Sequence, residues 1–177
     1  WSIGPIVDHE GSIATERASV PPPAPEATPN GERRRVTVLF CDLVGAAQLS
    51  ERLDPEDMHR VVRAYQAAAE AVIERHGGHV AQYLGDGLLV YFGYPQEHEG
   101  SARSAALAAL EIVEAVEGLA ARLDAERGVD IAARIGMHLG EGVAGDVGGR
   151  LKREQLVMGR APNIAARLVF RSSIVRF

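Results

Sequence analysis

Residues 81–93 read AQYLGDGLLVYFG: two apolar runs with one carboxylate, Asp86, held between Gly85 and Gly87. The pattern predicts a hairpin. HVAQYL (79–84) is one strand, Gly85-Asp86-Gly87 the turn, and LLVYF (88–92) the returning strand. A charge in so apolar a setting is costly unless something compensates it. An aspartate flanked by glycines is also ordinary turn chemistry. What the rest of the chain brings to this edge decides between the two readings.

Upstream, VTVLFCD (36–42) is almost wholly apolar and β-favouring, which predicts a strand that begins at Val36, is buried on both faces and ends at Asp42. Asp54-Pro55 then offers a cap and a first-turn proline. Met58, Val61, Val62, Tyr65, Ala69, Val72 and Ile73 follow at helical spacing until Gly77-Gly78 stop the helix. Beyond the hairpin, an alanine-rich helix is predicted over about 97–127, with Leu107, Leu110, Val113, Val116, Leu119 and Leu123 on its core side. Val129 to Leu139 alternates apolar and polar residues, as a half-buried strand does. A glycine-rich run follows and is predicted to be a flexible hairpin. It leads to a short strand, EQLVM (154–158), and a helix opened by Gly159 and Pro162.

The order strand, helix, strand, strand, helix, strand is that of an α+β, ferredoxin-like antiparallel sheet with helices on one face. In that topology the third strand lies between the first and second and runs antiparallel to the first. Asp42 ends the first strand and Asp86 precedes the third, so both carboxylates fall at one edge. Two such groups repel and raise each other's pKa unless a cation lies between them. Oxygen-only ligands favour Mg²⁺ or Mn²⁺ over zinc.

The totals narrow the function. The chain has 177 residues, 46% of them hydrophobic, enough for one domain with a buried core and a tail. Acidic residues outnumber basic ones 24 to 19, a net charge of −5, which argues against a nucleic-acid surface. A nucleotide fits if metal ions carry the positive charge. The Arg33-Arg34-Arg35 run reads as solvated rather than as a nucleic-acid contact. The single cysteine, Cys41, reads as a buried structural thiol. No apolar run is long enough to span a bilayer, no membrane partner is expected, and the expected setting is cytoplasmic. Residues 1–34 are rich in Pro, Glu, Ala and Ser and are expected to be a disordered linker. The start at Trp1 rather than Met suggests a fragment or a processed product.

GEGVAG (140–145) matches the dinucleotide fingerprint GxGxxG, but DVGGR follows it where a helix would have to start, so the Rossmann reading fails. His76 and His79 flank a Gly-Gly turn and are expected to be exposed. In APNIAARL (161–168), Asn163 and Arg167 stand one helical turn apart. They are either a solvated pair or two donors aimed at an anionic ligand.

VTVLFCDLVG, QYLGDGLLVYFG, ARIGMHLGEGVAGDVG and GRAPNIAARL stand in the order and spacing of class III adenylate/guanylate cyclase catalytic domains, and the chain resembles that family from about Arg34 to Leu168. The GYP after the hairpin resembles a bacterial branch often fused to ATPase and helical-repeat modules. The resemblance implies a catalytic domain over 35–168 and a tail outside the family pattern over 169–177, so the domain is expected to be truncated at its C-terminus. It implies conversion of ATP, with GTP as a second candidate, to the 3′,5′-cyclic monophosphate and pyrophosphate by two Mg²⁺ or Mn²⁺ ions at the interface of a head-to-tail homodimer. Asp42 and Asp86 match the metal aspartates, and the Leu43 carbonyl completes the shell. Asn163 and Arg167 match the pair that orients the ribose and stabilises the phosphate transition state. Gln82 stands where many members carry a base-reading lysine, and Leu156 where its Asp or Thr partner would be. Arg160 replaces a residue that is commonly acidic. The alternative is a degenerate, nucleotide-sensing module without turnover. A diguanylate cyclase is disfavoured, because the hairpin reads LGDGL and lacks GG(D/E)EF.

Overall fold

The computed structural model describes residues 31–97, 99–148 and 153–171. The expected linker therefore lies outside the described residues as far as residue 30, and the end of the expected tail lies outside them from residue 172. The first strand, β1 (Glu32–Val44), begins four residues before Val36 and runs two past Asp42. It is central because both of its faces are apolar. Leu39, Cys41 and Leu43 point to one core and Val36 and Val38 to another.

A short helix that the apolar pattern did not predict, α1 (Ala46–Arg52), follows Gly45, whose φ is 83°. The next helix, α2 (Pro55–Arg75), starts as its residues dictate. Asp54 accepts a hydrogen bond from the Asp57 N–H at 2.8 Å, and Pro55 fills the first turn. The hairpin is β2 (His79–Leu84) and β3 (Gly87–Phe92). Then come α3 (Ser101–Arg127), β4 (Ala132–Gly148), β5 (Arg153–Met158) and α4 (Arg160–Arg171).

The sheet order is β2-β3-β1-β4-β5, and each neighbouring pair is antiparallel. This is the α+β, ferredoxin-like arrangement extended by one strand. As expected, α2 and α3 share one face of it. Their buried residues Val61, Tyr65, Ala69, Val72, Ile73, Ala105, Ala108, Ile112, Val116 and Leu119 pack on Leu39, Cys41, Leu43, Leu88, Val90 and Phe92. The expectation of helices on one face needs one correction: α4 lies on the opposite face. Its Ala161 and Ala165 pack with Val36, Val38, Leu89, Tyr91, Ala144 and Val157. On that face the β4–β5 arm coils back over the sheet, and the Val157 N–H donates to Tyr91 Oη at 3.1 Å.

Three further expectations change. Leu107 and Leu110 are 45% and 57% exposed, because the alanines Ala105 and Ala108 take the core-facing positions of α3. The glycine-rich run is not a hairpin loop: 140–148 continues β4, paired first with β1 and then with β5. Its glycines, with Gly136, let neighbours approach closely. A Cβ at Gly136 would lie 2.3 Å from the Val169 nitrogen of α4, and one at Gly142 would lie 2.3 Å from Val157 Cγ1. His76 and His79 are half-buried, and His76 Nε2 lies 2.6 Å from Glu111 Oε2, tying α2 to α3. Arg75 joins the same carboxylate.

Candidate functional site

The edge that the topology singled out is a cleft. Asp42, Leu43, Val44, Gly45, Ala46, Ala47, Gln48, Asp86 and Arg134 line a hollow of about 550 Å³. β1 brings Asp42 opposite Gly87 of β3, so Asp86, one residue earlier, stands beside it. The flanking glycines have separate duties. Gly85 has φ +64° and makes the turn. Gly87 leaves room: a Cβ there would meet the Cys41 carbonyl oxygen at 3.2 Å and Asp42 Oδ1 at 3.5 Å.

Burial pushes Asp86 above the ordinary carboxylate value, and the Asp42 charge adds to the rise while Arg134 opposes it. Arg134 Nη2 lies 2.6 Å from Asp42 Oδ2, both side chains about a quarter exposed. The apolar–polar alternation of β4 gave Arg134 no more than a polar position. Its role follows from register, since β4 places it directly opposite Asp42.

Two hydrogen bonds from α2 back this edge. Tyr65 Oη donates to Cys41 Sγ at 3.0 Å. Gln66 Nε2 donates to the Gly85 carbonyl at 3.0 Å. Neither partner was apparent from sequence, because Gln66 occupies a helical position that looks merely polar. Cys41 is the buried structural thiol expected of it, pushed up to about 12 chiefly by burial.

Divalent cations could be held by Asp42 and Asp86 with backbone oxygen. Leu43 is only 2% exposed and its side chain packs in the core, yet the residue lines the cleft. Among the described residues no group of three or more His, Cys, Asp or Glu side chains could hold a metal. A cation here would draw on two carboxylates of this chain and take other oxygens from water or phosphate, as Mg²⁺ commonly does.

The remaining predicted residues do not line that hollow, although α4 reaches the same edge through Ala166 and Val169, which line a second hollow of about 350 Å³ with Asp42 and Asp86. Asn163 and Arg167 are both exposed on α4, on the side away from buried Ala161, Ala165 and Val169. Asn163 Nδ2 donates to the Gly159 carbonyl at 3.2 Å. Gln82 is half-buried on β2 opposite Leu89, next to a register shift, and Leu156 is half-buried on β5 opposite Gly145. Although β2 and β5 are the two ends of the sheet order, the coiled arm brings them near one another. Arg34, in the expected solvated run, is half-buried and pairs with Glu32 and Glu97.

A ferredoxin-like sheet that delivers two aspartates into one cleft, with a helix on the opposite face, has the architecture of a nucleotide cyclase catalytic domain. Residues 29–174 match the adenylate and guanylate cyclase catalytic domain, and the chain belongs to that family. It is 30% identical over 139 residues to an adenylate cyclase of Anabaena cylindrica, covering 76% of this chain and 27% of that protein. The chain spans about a quarter of the length of the curated relatives it matches. The crystal structure of the guanylyl cyclase Cya2 superposes with a TM-score of 0.78 at 30% identity, over 82% of this chain and 74% of that one. That of the adenylyl cyclase CyaB from P. aeruginosa gives 0.77 at 25% identity, over 81% and 74%. Among the described residues no helix is long and apolar enough to cross a membrane.

Proposed function

We propose that this domain cyclises a purine nucleoside triphosphate, ATP in preference to GTP, to its 3′,5′-cyclic monophosphate and pyrophosphate. The observation that carries the reading is the pairing of Asp42 and Asp86 in one cleft within a chain of the cyclase family. Bound as two Mg²⁺ or Mn²⁺ ions, the metal would supply Lewis-acid activation of the ribose 3′-hydroxyl and charge neutralisation at the α-phosphate. Asp42, Asp86 and the Leu43 carbonyl would hold it. In the reaction the 3′-oxygen bonds to the α-phosphorus, the bond from that phosphorus to the bridging oxygen breaks, pyrophosphate leaves, and the hydroxyl proton passes to solvent. Asn163 orients the ribose, and Arg167 stabilises charge that develops on the phosphate.

Asn163 and Arg167 are exposed on α4, which supports a site completed by a second copy of the chain. In that head-to-tail homodimer one subunit offers the aspartates and the other Gln82, Leu156, Asn163 and Arg167. The nearness of β2 and β5 supports a shared base pocket for Gln82 and Leu156. A second reading, a nucleotide-binding module without turnover, draws on apolar Leu156, which offers a base no hydrogen bond. Incubation with ATP or GTP and Mn²⁺, with products measured by mass spectrometry, tests both. Cyclic product that disappears in Asp42→Asn supports the cyclase; nucleotide binding with no cyclic product supports the second reading.

A further inference from the structure

Gln66 is a polar residue in an apolar place. It is 6% exposed, on a helix whose other buried residues are Val61, Tyr65, Ala69, Val72 and Ile73. A buried amide is destabilising unless its polar atoms are bonded. Its Nε2 donates to the carbonyl of Gly85, the residue immediately before Asp86. The residue beside it acts in parallel: Tyr65 bonds Cys41, the residue immediately before Asp42. Consecutive residues of one helix thus grip the residues preceding both carboxylates.

The two grips are not equivalent. Cys41 lies within a strand paired on both sides, with Leu88 and with Ile135, so the backbone leading into Asp42 is fixed without Tyr65. Gly85 and Asp86 lie beyond the last ladder pair, Leu84 with Gly87, and have no such support. The turn also rests on a glycine, the residue with the most backbone freedom. We infer that Gln66 is a positioning residue: it anchors the Gly85–Asp86 turn so that the Asp86 carboxylate is held in the cleft beside Asp42. This rests on the carboxylate-pair reading of the cleft.

The test is Mn²⁺ binding to the full chain without nucleotide, followed by the EPR signal of free Mn²⁺, in parallel with thermal melts. Gln66→Met keeps the length and removes the donor. Gln66→Leu serves if that variant folds poorly, and Tyr65→Phe removes the companion bond. Loss of a group that orients a metal ligand typically weakens binding roughly tenfold to a hundredfold. We expect Gln66→Met to weaken Mn²⁺ binding by at least about tenfold. Tyr65→Phe, despite a comparable loss of melting temperature, should leave binding within about twofold, because the sheet already fixes Asp42. A purely structural role for Gln66 would lower the melting temperature and leave binding unchanged. Binding that Asp86→Asn abolishes but both Gln66 variants retain overturns the role of Gln66 alone. Binding that survives Asp86→Asn overturns the carboxylate-pair reading and this inference with it.

Discussion

Gly136→Ala adds a single methyl group where β4 meets α4. That Cβ would lie 2.3 Å from the Val169 nitrogen, 2.6 Å from the Ala165 carbonyl oxygen and 2.8 Å from the Val169 Cα. All three are backbone atoms of one helix, so no side-chain rotation relieves the clash. Ordinary non-bonded contact is about 3.5–4.0 Å, so α4 must retreat by roughly 1 Å or β4 must bend by as much. Overpacking of this kind costs about 1–3 kcal/mol, which lowers the melting temperature of a domain this size by about 3–10 °C. The effect on turnover should be larger than that figure suggests, because α4 carries Asn163 and Arg167. A misplacement of 1 Å in positioning groups can lower the rate by about a hundredfold. Differential scanning calorimetry and a cyclic-nucleotide assay on the same preparation read both quantities. A Gly136→Ala protein that melts within about 1 °C of the parent and turns over normally would show that α4 is not seated on β4 as described.

At Gly118, inside α3, a Cβ meets nothing within 4 Å, so Gly118→Ala should stabilise by about 0.5–1 kcal/mol, seen as a higher melting temperature. Asp86→Asn should abolish turnover yet, in EDTA, hold or raise stability. Because burial raises the folded-state pKa of Asp86, its charge is destabilising above that pKa, so the gain should be greatest near neutral pH and shrink as pH falls through that pKa. A gain that grew on acidification would contradict this. Asp42→Ala and Arg167→Ala should each be inactive, but mixed they should recover about a quarter of parental activity, since half the dimers carry one intact site of two. No recovery in a mixture proven to exchange subunits would mean that each chain builds its own site. Gln82 can present either a donor or an acceptor and Leu156 neither, so the ATP preference in kcat/KM should be no more than about tenfold, near one net hydrogen bond. A ratio above roughly a thousandfold would need a matched polar pair and would refute this assignment of Gln82 and Leu156.

The acidic edge was legible before any coordinates because it depends on connectivity. Once VTVLFCD is a central strand and the hairpin follows one helix, Asp42 and Asp86 have to meet. Arg134 was legible only in part, since its polar position was visible but its partner required the register between β1 and β4. Non-local packing hid the rest. Nothing in Gly136 or Gly142 announces that a helix or a neighbouring strand will press against it, so Gly136 read as an ordinary strand position and the run around Gly142 as a loop. Leucine normally marks the core side of a helix, but in α3 the smaller Ala105 and Ala108 sit closest to the sheet, turning Leu107 and Leu110 outward. Gln66 was silent for the same reason, because its meaning lies in a carbonyl nineteen residues away.

The two faces of the sheet are clad unequally. Asp42 rises from a strand backed by two long helices, whereas α4 rests on a smaller set of apolar contacts among the described residues. Yet α4 is seated closely, with its backbone against Gly136 of β4 and its Ala166 and Val169 bordering a hollow shared with Asp42 and Asp86. A contact that tilts α4 would therefore be felt at the carboxylates as well as at Arg167. Whatever touches the outer side of that helix would then act on the acidic edge and on Arg167 together.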